Sequence, residues 1–123
     1  MSHARTIVVV DDAEDCGAML EVALQSVAGF TVTRVRSAEA ALKLVADGNV
    51  AVLVSDVQLG AMSGLELVRR AMPLPAVVVS AAIDPGIERQ ALAVGAAAFF
   101  SKPFSPEAVC EKVKELLKEP VHD

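Results

Sequence analysis

Thr6-Ile7-Val8-Val9-Val10-Asp11-Asp12 carries five strand-forming residues straight into two carboxylates. A run that is β-branched throughout, and apolar at odd and even positions alike, reads as a strand buried on both faces, as in parallel sheets. Four more short runs follow, Thr31 to Val35, Val50 to Ser55, Ala76 to Ser80 and Ala97 to Ser101, the last being the weakest in strand propensity. Segments of helical spacing separate them. Ala13 to Ala28 places Met19, Leu20, Val22, Ala23, Leu24 and Val27 on one broad apolar stripe, with Gly29 as its stop. Ser37 caps a second helix through Val45, with Glu39 in its first turn and Gly48 beyond its end. Ser63 caps a third, from Leu65 to about Met72, stopped by Pro73 and Pro75. Asp84 and Pro85 read as N-cap and first residue of a fourth that closes at Gly95, and Ser105 with Pro106 repeats that signal for a fifth, to about Leu117. Strand followed by helix, five times over, specifies an α/β fold: a doubly wound parallel sheet with right-handed crossovers and helices on both faces.

The composition agrees and removes several functions. The chain has 123 residues, 54% apolar, 22% charged and 3% aromatic, with a net charge of -5. That suits one domain, with a core from about residue 5 to 118 and a frayed tail from Glu119 to Asp123. A mean hydropathy of +0.50 comes from dispersed Ala and Val, and no run approaches the ~18 residues of a spanning helix. The polar start, Met1 to Arg5, is no signal peptide, so the cytoplasm is the expected location and no membrane is a partner. The acidic balance argues against a grip on nucleic acid through phosphates, and the lack of Trp and Tyr against base stacking. Cys16 and Cys110 form no CxxC pair and read as small buried hydrophobes, while His3 and His122 lie in the terminal tails and leave no internal histidine for a triad or metal cage. Arg69 and Arg70, the adjacent basic pair, read as a solvated helix face.

Ligands of such sheets bind outside the carboxyl ends of the strands, so the strand-end residues carry the functional reading. They are Asp11 and Asp12 after the first strand, Asp56 after the third, Ser80 at the fourth and Lys102 after the fifth. Phosphate-cradling folds put glycines in the first turn, whereas this chain has Asp11-Asp12-Ala13-Glu14-Asp15, which repels a bare phosphate. A divalent cation resolves the conflict, because magnesium takes one or two protein carboxylates, several waters and a phosphate oxygen. Asp56 is then the candidate nucleophile, its carboxylate able to form an aspartyl-phosphate, with Lys102, Ser80 and the metal neutralising charge on the phosphoryl oxygens.

In these stretches the chain resembles the response-regulator receiver family of two-component signalling. The matching residues are Val8 to Asp12, Val54 to Leu59 with Met62-Ser63-Gly64, Val79-Ser80-Ala81, Gly95-Ala96 leading to Phe99, and Lys102-Pro103-Phe104. The resemblance implies a strand order of 2-1-3-4-5, with Asp56 the phospho-acceptor. Asp12 is implied as a direct Mg2+ ligand, Asp11 as a water-mediated one and the backbone carbonyl of Gln58 as a further one. Lys102 is similar to the lysine that pairs with the acceptor, Ser80 to the switch hydroxyl, Phe99 to the switch aromatic, and the Lys102–Pro103 bond to one that is cis. The implied partners are a histidine kinase or phosphotransfer protein, which donates the phosphoryl group, and a downstream protein selected by the fourth helix, fifth strand and fifth helix. A homodimer through that face is the assembly the resemblance allows. The chemistry is self-phosphorylation and self-dephosphorylation, not enzymatic turnover. The chain suits a free-standing regulator or an N-terminal receiver.

Three departures stand out. Gly60 occupies a position where the family usually has proline, the turn from Met72 to Pro75 is short, and Phe99 replaces the commoner tyrosine. Two other readings fit less well. A magnesium phosphatase of the haloacid-dehalogenase type also uses a strand-end Asp, but needs a second Asp as acid/base where Gln58 stands. A flavin module lacks an aromatic pair to sandwich the ring. Within the receiver reading, a phosphate sink without conformational output is the alternative to a switch.

Overall fold

The computed structural model describes residues 4–81 and 85–117. The sheet contains β1 (Thr6–Val10), β2 (Thr31–Val35), β3 (Val50–Asp56), β4 (Ala76–Ser80) and β5 (Ala98–Ser101), all parallel, in the order β2-β1-β3-β4-β5. The helices are α1 (Glu14–Leu24), α2 (Ala38–Asp47), α3 (Gly64–Ala71), α4 (Gly86–Ala93) and α5 (Pro106–Leu117). The expected tail from Glu119, the termini with His3 and His122, and the Asp84 cap lie outside the described residues. Among those described, no helix is long and apolar enough to cross a membrane.

Alternation along the strands divides the core into two layers. Ile7, Val9, Val52, Val54, Val77 and Val79 pack with Leu20 and Leu24 of α1 and with Val109 and Val113 of α5. Val8, Val10, Leu53 and Val78 pack on the other face with α2, α3 and α4. The central strands β1, β3 and β4 are nearly all buried, whereas the edge strands β2 and β5 are half-buried. Each fully buried Val or Leu contributes about 1.5–3 kcal/mol, which the Val-rich runs concentrate in the middle of the sheet. The β1–β3 register slips between Thr6, opposite Val50, and Ile7, opposite Val52, leaving Ala51 as a bulge.

The caps follow the sequence at three helices. Ser37 accepts from the Ala40 amide at 3.1 Å, Ser63 from the Leu65 amide at 3.0 Å and Ser105 from the Ala108 amide at 3.2 Å. Gly48 ends α2 in the left-handed conformation. Pro85 has helical angles and immediately precedes α4, and Gly95 follows it at φ 112°.

α1 departs from expectation in length and in its stripe. It ends at Leu24, and residues up to Gly29 form tight turns in which the Val27 amide donates to the Leu24 carbonyl. Met19 and Val22 are exposed, 46% and 69% respectively, while Leu20, Leu24 and Val27 are buried. At ~100° per residue Val22 falls opposite Leu20, so six apolar residues could not share one face. Strand β3 extends to Asp56, one residue beyond the expected end, and β5 starts at Ala98, one later than expected.

Candidate functional site

The carboxyl edge of the sheet collects the predicted residues. Asp56 is the last residue of β3, paired in register with Val79 of β4, and Ser80 ends β4 opposite Ser101. The Lys102 amide donates to the Ser80 carbonyl at 2.8 Å, which places Lys102 directly beyond β5. Asp11 follows β1, and its amide donates to the Val35 carbonyl at 3.1 Å.

Asp56 is 6% exposed and both its oxygens are held. Oδ1 accepts the Gln58 amide at 3.0 Å, and Oδ2 accepts from Lys102 Nζ at 2.8 Å. Burial works against the Lys102 charge, yet the hydrogen bond and charge of Asp56, with Cys16 and Asp11 adding to them, hold its pKa above the ordinary lysine value. The backbone beneath Asp56 is fixed as well. Ser55 Oγ donates to the Asp56 carbonyl at 2.8 Å, and the Gly64 amide donates to the Val57 carbonyl at 2.7 Å. Gly64 lies so close that a Cβ there would collide with the Asp56 carbonyl oxygen. The start of α3 therefore rests on the strand that ends in the candidate nucleophile.

Asp11 is 1% exposed. Its Oδ1 accepts the Ala13 amide at 2.7 Å, while its buried Oδ2 has no hydrogen-bond partner. An orphaned buried carboxylate oxygen is costly, and a hard cation beside it removes that cost. Asp12 is exposed at the rim. Among the described residues no three His, Cys, Asp or Glu side chains form a ready cage. The orphaned Asp11 oxygen and the exposed Asp12 carboxylate are hard oxygen donors of the kind a partly hydrated divalent cation takes.

Ser80 is fully buried, and Phe99 is half-buried against the layer formed with α2, α3 and α4. The Lys102–Pro103 bond is cis, as the resemblance implied, and so is Met72–Pro73, which nothing in the sequence announced. Gly60 has φ 83°, a conformation closed to proline, so a proline could not stand at this position without a change of the loop backbone.

Of the two cysteines, Cys110 is a buried core residue as the sequence reading has it, and Cys16 departs from that reading. Cys110 is buried, its Sγ near Ser26 Oγ at 3.5 Å and the Ala23 carbonyl at 3.6 Å. Cys16 is only half-buried and belongs to the site itself: burial pushes its thiol up to about 11, and the neighbouring Asp11 carboxylate adds to the rise. Both are free thiols, met at opposite ends of α1. Arg69 and Arg70 are exposed and both pair with Glu66, whose carboxyl these hydrogen bonds hold down at about 2. Sequence reasoning missed Cys16, Ser55 and Gly64 as site residues. The Met62-Ser63-Gly64 stretch was visible, but the backbone that Gly64 must clear was not.

Comparison with known proteins places this geometry among relatives. The family model described as the response regulator receiver domain matches residues 7–114. The transcriptional regulatory protein FixJ of Rhizobium meliloti is 33% identical over 113 residues, covering 89% of this chain and 55% of FixJ. The phosphate regulon transcriptional regulatory protein PhoB of Pseudomonas aeruginosa is 29% identical over 120 residues, covering 93% of this chain and 52% of PhoB. The chain thus spans about half the length of these curated relatives. Among solved structures, a CheY-like response regulator receiver domain protein from Methanospirillum hungatei has a TM-score of 0.83 at 26% identity, covering 94% of this chain and 95% of that one.

Proposed function

Because the chain belongs to the response-regulator receiver family, we propose that it accepts a phosphoryl group on Asp56 from a phosphohistidine donor and changes its partner preference as a result. The observation that carries this reading is a buried carboxylate, Asp56, held at 2.8 Å by Lys102 at the same sheet edge as the orphaned oxygen of Asp11.

A carboxylate oxygen of Asp56 attacks phosphorus, the phosphorus–nitrogen bond of the donor breaks, and the histidine nitrogen departs with the bonding electrons. Lys102, already within hydrogen-bond reach of Asp56, follows the charge onto a phosphoryl oxygen. The Ser80 hydroxyl, at the end of the neighbouring strand, is the next donor in line, and Phe99 repacks as Ser80 turns. Asp11, Asp12, Asp56 and the Gln58 backbone carbonyl are the groups proposed to hold magnesium. When bound, that ion supplies positive charge against the phosphoryl oxygens. The altered surface of α4, β5 and α5 then selects the downstream protein, a population shift biased by one local charge.

The direct test is intact mass after incubation with a small phosphodonor and magnesium. Wild type gains one phosphoryl group and Asp56→Asn gains none. An unmodified wild type, or equal labelling of both, overturns the acceptor assignment. Amide spectra with and without a phosphoryl mimic test the switch, since a silent Ser80 and Phe99 would mean a phosphate sink.

A further inference from the structure

Gly17 of α1 is buried although it has no side chain to bury. A Cβ built on it would meet Arg34 Cδ at 2.7 Å, Arg34 Nη1 at 3.4 Å and Asp11 Cβ at 3.5 Å. The stem of Arg34, reaching over from the edge strand β2, therefore occupies the space that a side chain at residue 17 would need. It brings a guanidinium nitrogen to within roughly 7 Å of the Asp11 Cβ, a separation at which unit charges near a protein surface still interact appreciably. The guanidinium is steered there. One turn along α1, Glu21 Oε1 accepts from Arg34 Nε at 3.2 Å, and the two side chains are only 21% and 32% exposed for Arg34 and Glu21 respectively.

We propose that Arg34 is a positioning residue of the acidic edge: laid over Gly17 and tethered by Glu21, its charge lowers, and thereby sets, the affinity of the Asp11 side of the site for a divalent cation. This rests on the magnesium reading above. A cluster of Asp11, Asp12 and Asp56 attracts cations strongly even with Lys102 beside it, and a guanidinium near Asp11 competes with that attraction. Gly17 is what admits it, because a larger residue would push the Arg34 stem outward.

The test is the magnesium affinity of the intact chain, measured by calorimetry at low and high ionic strength. Arg34→Met keeps a stem over Gly17 and removes the charge, so binding tightens about three- to tenfold at low salt, and the gain shrinks at high salt. Arg34→Lys keeps the charge and stays near wild type. Glu21→Gln removes one negative charge that offsets the guanidinium and weakens binding by a similar factor, and it carries the test alone if Arg34→Met does not fold. Unchanged low-salt affinity in Arg34→Met, or in Glu21→Gln where that variant stands alone, overturns the role of Arg34 and leaves the magnesium site intact. Absence of magnesium binding in wild type overturns both.

Discussion

Lys102 Nζ and Asp56 Oδ2 meet at 2.8 Å across 46 positions of chain, joining the end of β3 to the residue that follows β5. The pair links the acidic edge to the last strand. Removing the ammonium leaves a buried carboxylate close to the equally buried Asp11. Lys102→Met is therefore expected to lose about 1–3 kcal/mol in urea unfolding, as for a hydrogen-bonded charge left unpaired. Adding Asp56→Asn returns part of that loss, and a double-mutant cycle with no coupling would refute the link.

The same pair fixes a pH window. The Lys102 pKa is raised in the fold above its ordinary 10.5. Its stabilising contribution is thus complete below pH 10.5 and disappears as pH climbs through the higher folded value. The stability gap between wild type and Lys102→Met is expected to stay level from pH 7 to about 10 and to close only beyond. Unfolding midpoints across that range decide it.

Cys16 supplies a second alkaline signature. Its thiol ionises near 11, against an ordinary 9.0, so at pH 8 the reactive thiolate is about 100-fold scarcer than for a free cysteine. Alkylation by iodoacetamide, followed by peptide mass, is expected to be slow at pH 8 and to accelerate toward pH 11. Asp11→Ala removes one cause of the rise and moves the acceleration to lower pH. Because the folded state keeps this proton longer than the unfolded chain, stability also falls between pH 9.0 and 11.

Gly64→Ala forces a methyl group onto the Asp56 carbonyl. Backbone cannot rotate aside as a flexible side chain does, so the start of α3 must lift from β3. The expected loss is about 3 kcal/mol, at the upper end for overpacking, with slower phosphorylation of Asp56. Wild-type stability and labelling rate in this variant would contradict the contact.

Gly60, with φ 83°, makes a graded series. Gly60→Asn is tolerated best, Gly60→Ala costs about 1–2 kcal/mol for left-handed backbone, and Gly60→Pro rebuilds the loop after Asp56. Thermal midpoints in the order Gly, Asn, Ala, Pro are the expected outcome.

The central strands were legible because Val8, Val54 and Val78 announce burial by their neighbours in sequence. Strand ends then located Asp11, Asp56, Ser80 and Lys102 without any coordinates. α1 is less legible, since a count of apolar residues does not show that Val22 turns away from Leu20. What the sequence could not convey were encounters between distant segments. Arg34 over Gly17, Gly64 against Asp56 and Cys16 beside Asp11 each depend on how two elements approach, and no local pattern encodes that distance.

The bulge at Ala51 has its effect at the opposite end of β3. Val50 belongs to the layer beneath α2, α3 and α4, whereas Val52 and Val54 belong to the layer beneath α1 and α5. Asp56 continues the parity of Val52 and Val54, as Asp11 continues that of Ile7 and Val9. One surplus residue, roughly 16 Å upstream, thus lets Val50 and Asp56, an even number of positions apart, take opposite faces of the sheet. Deleting Ala51 would make Val50 and Val52 consecutive, so plain alternation would keep both on their present faces and leave the two acids on the same side of the sheet. Pairing Ala51 in regular register, by contrast, would force the strand to choose between its first valine and its final aspartate.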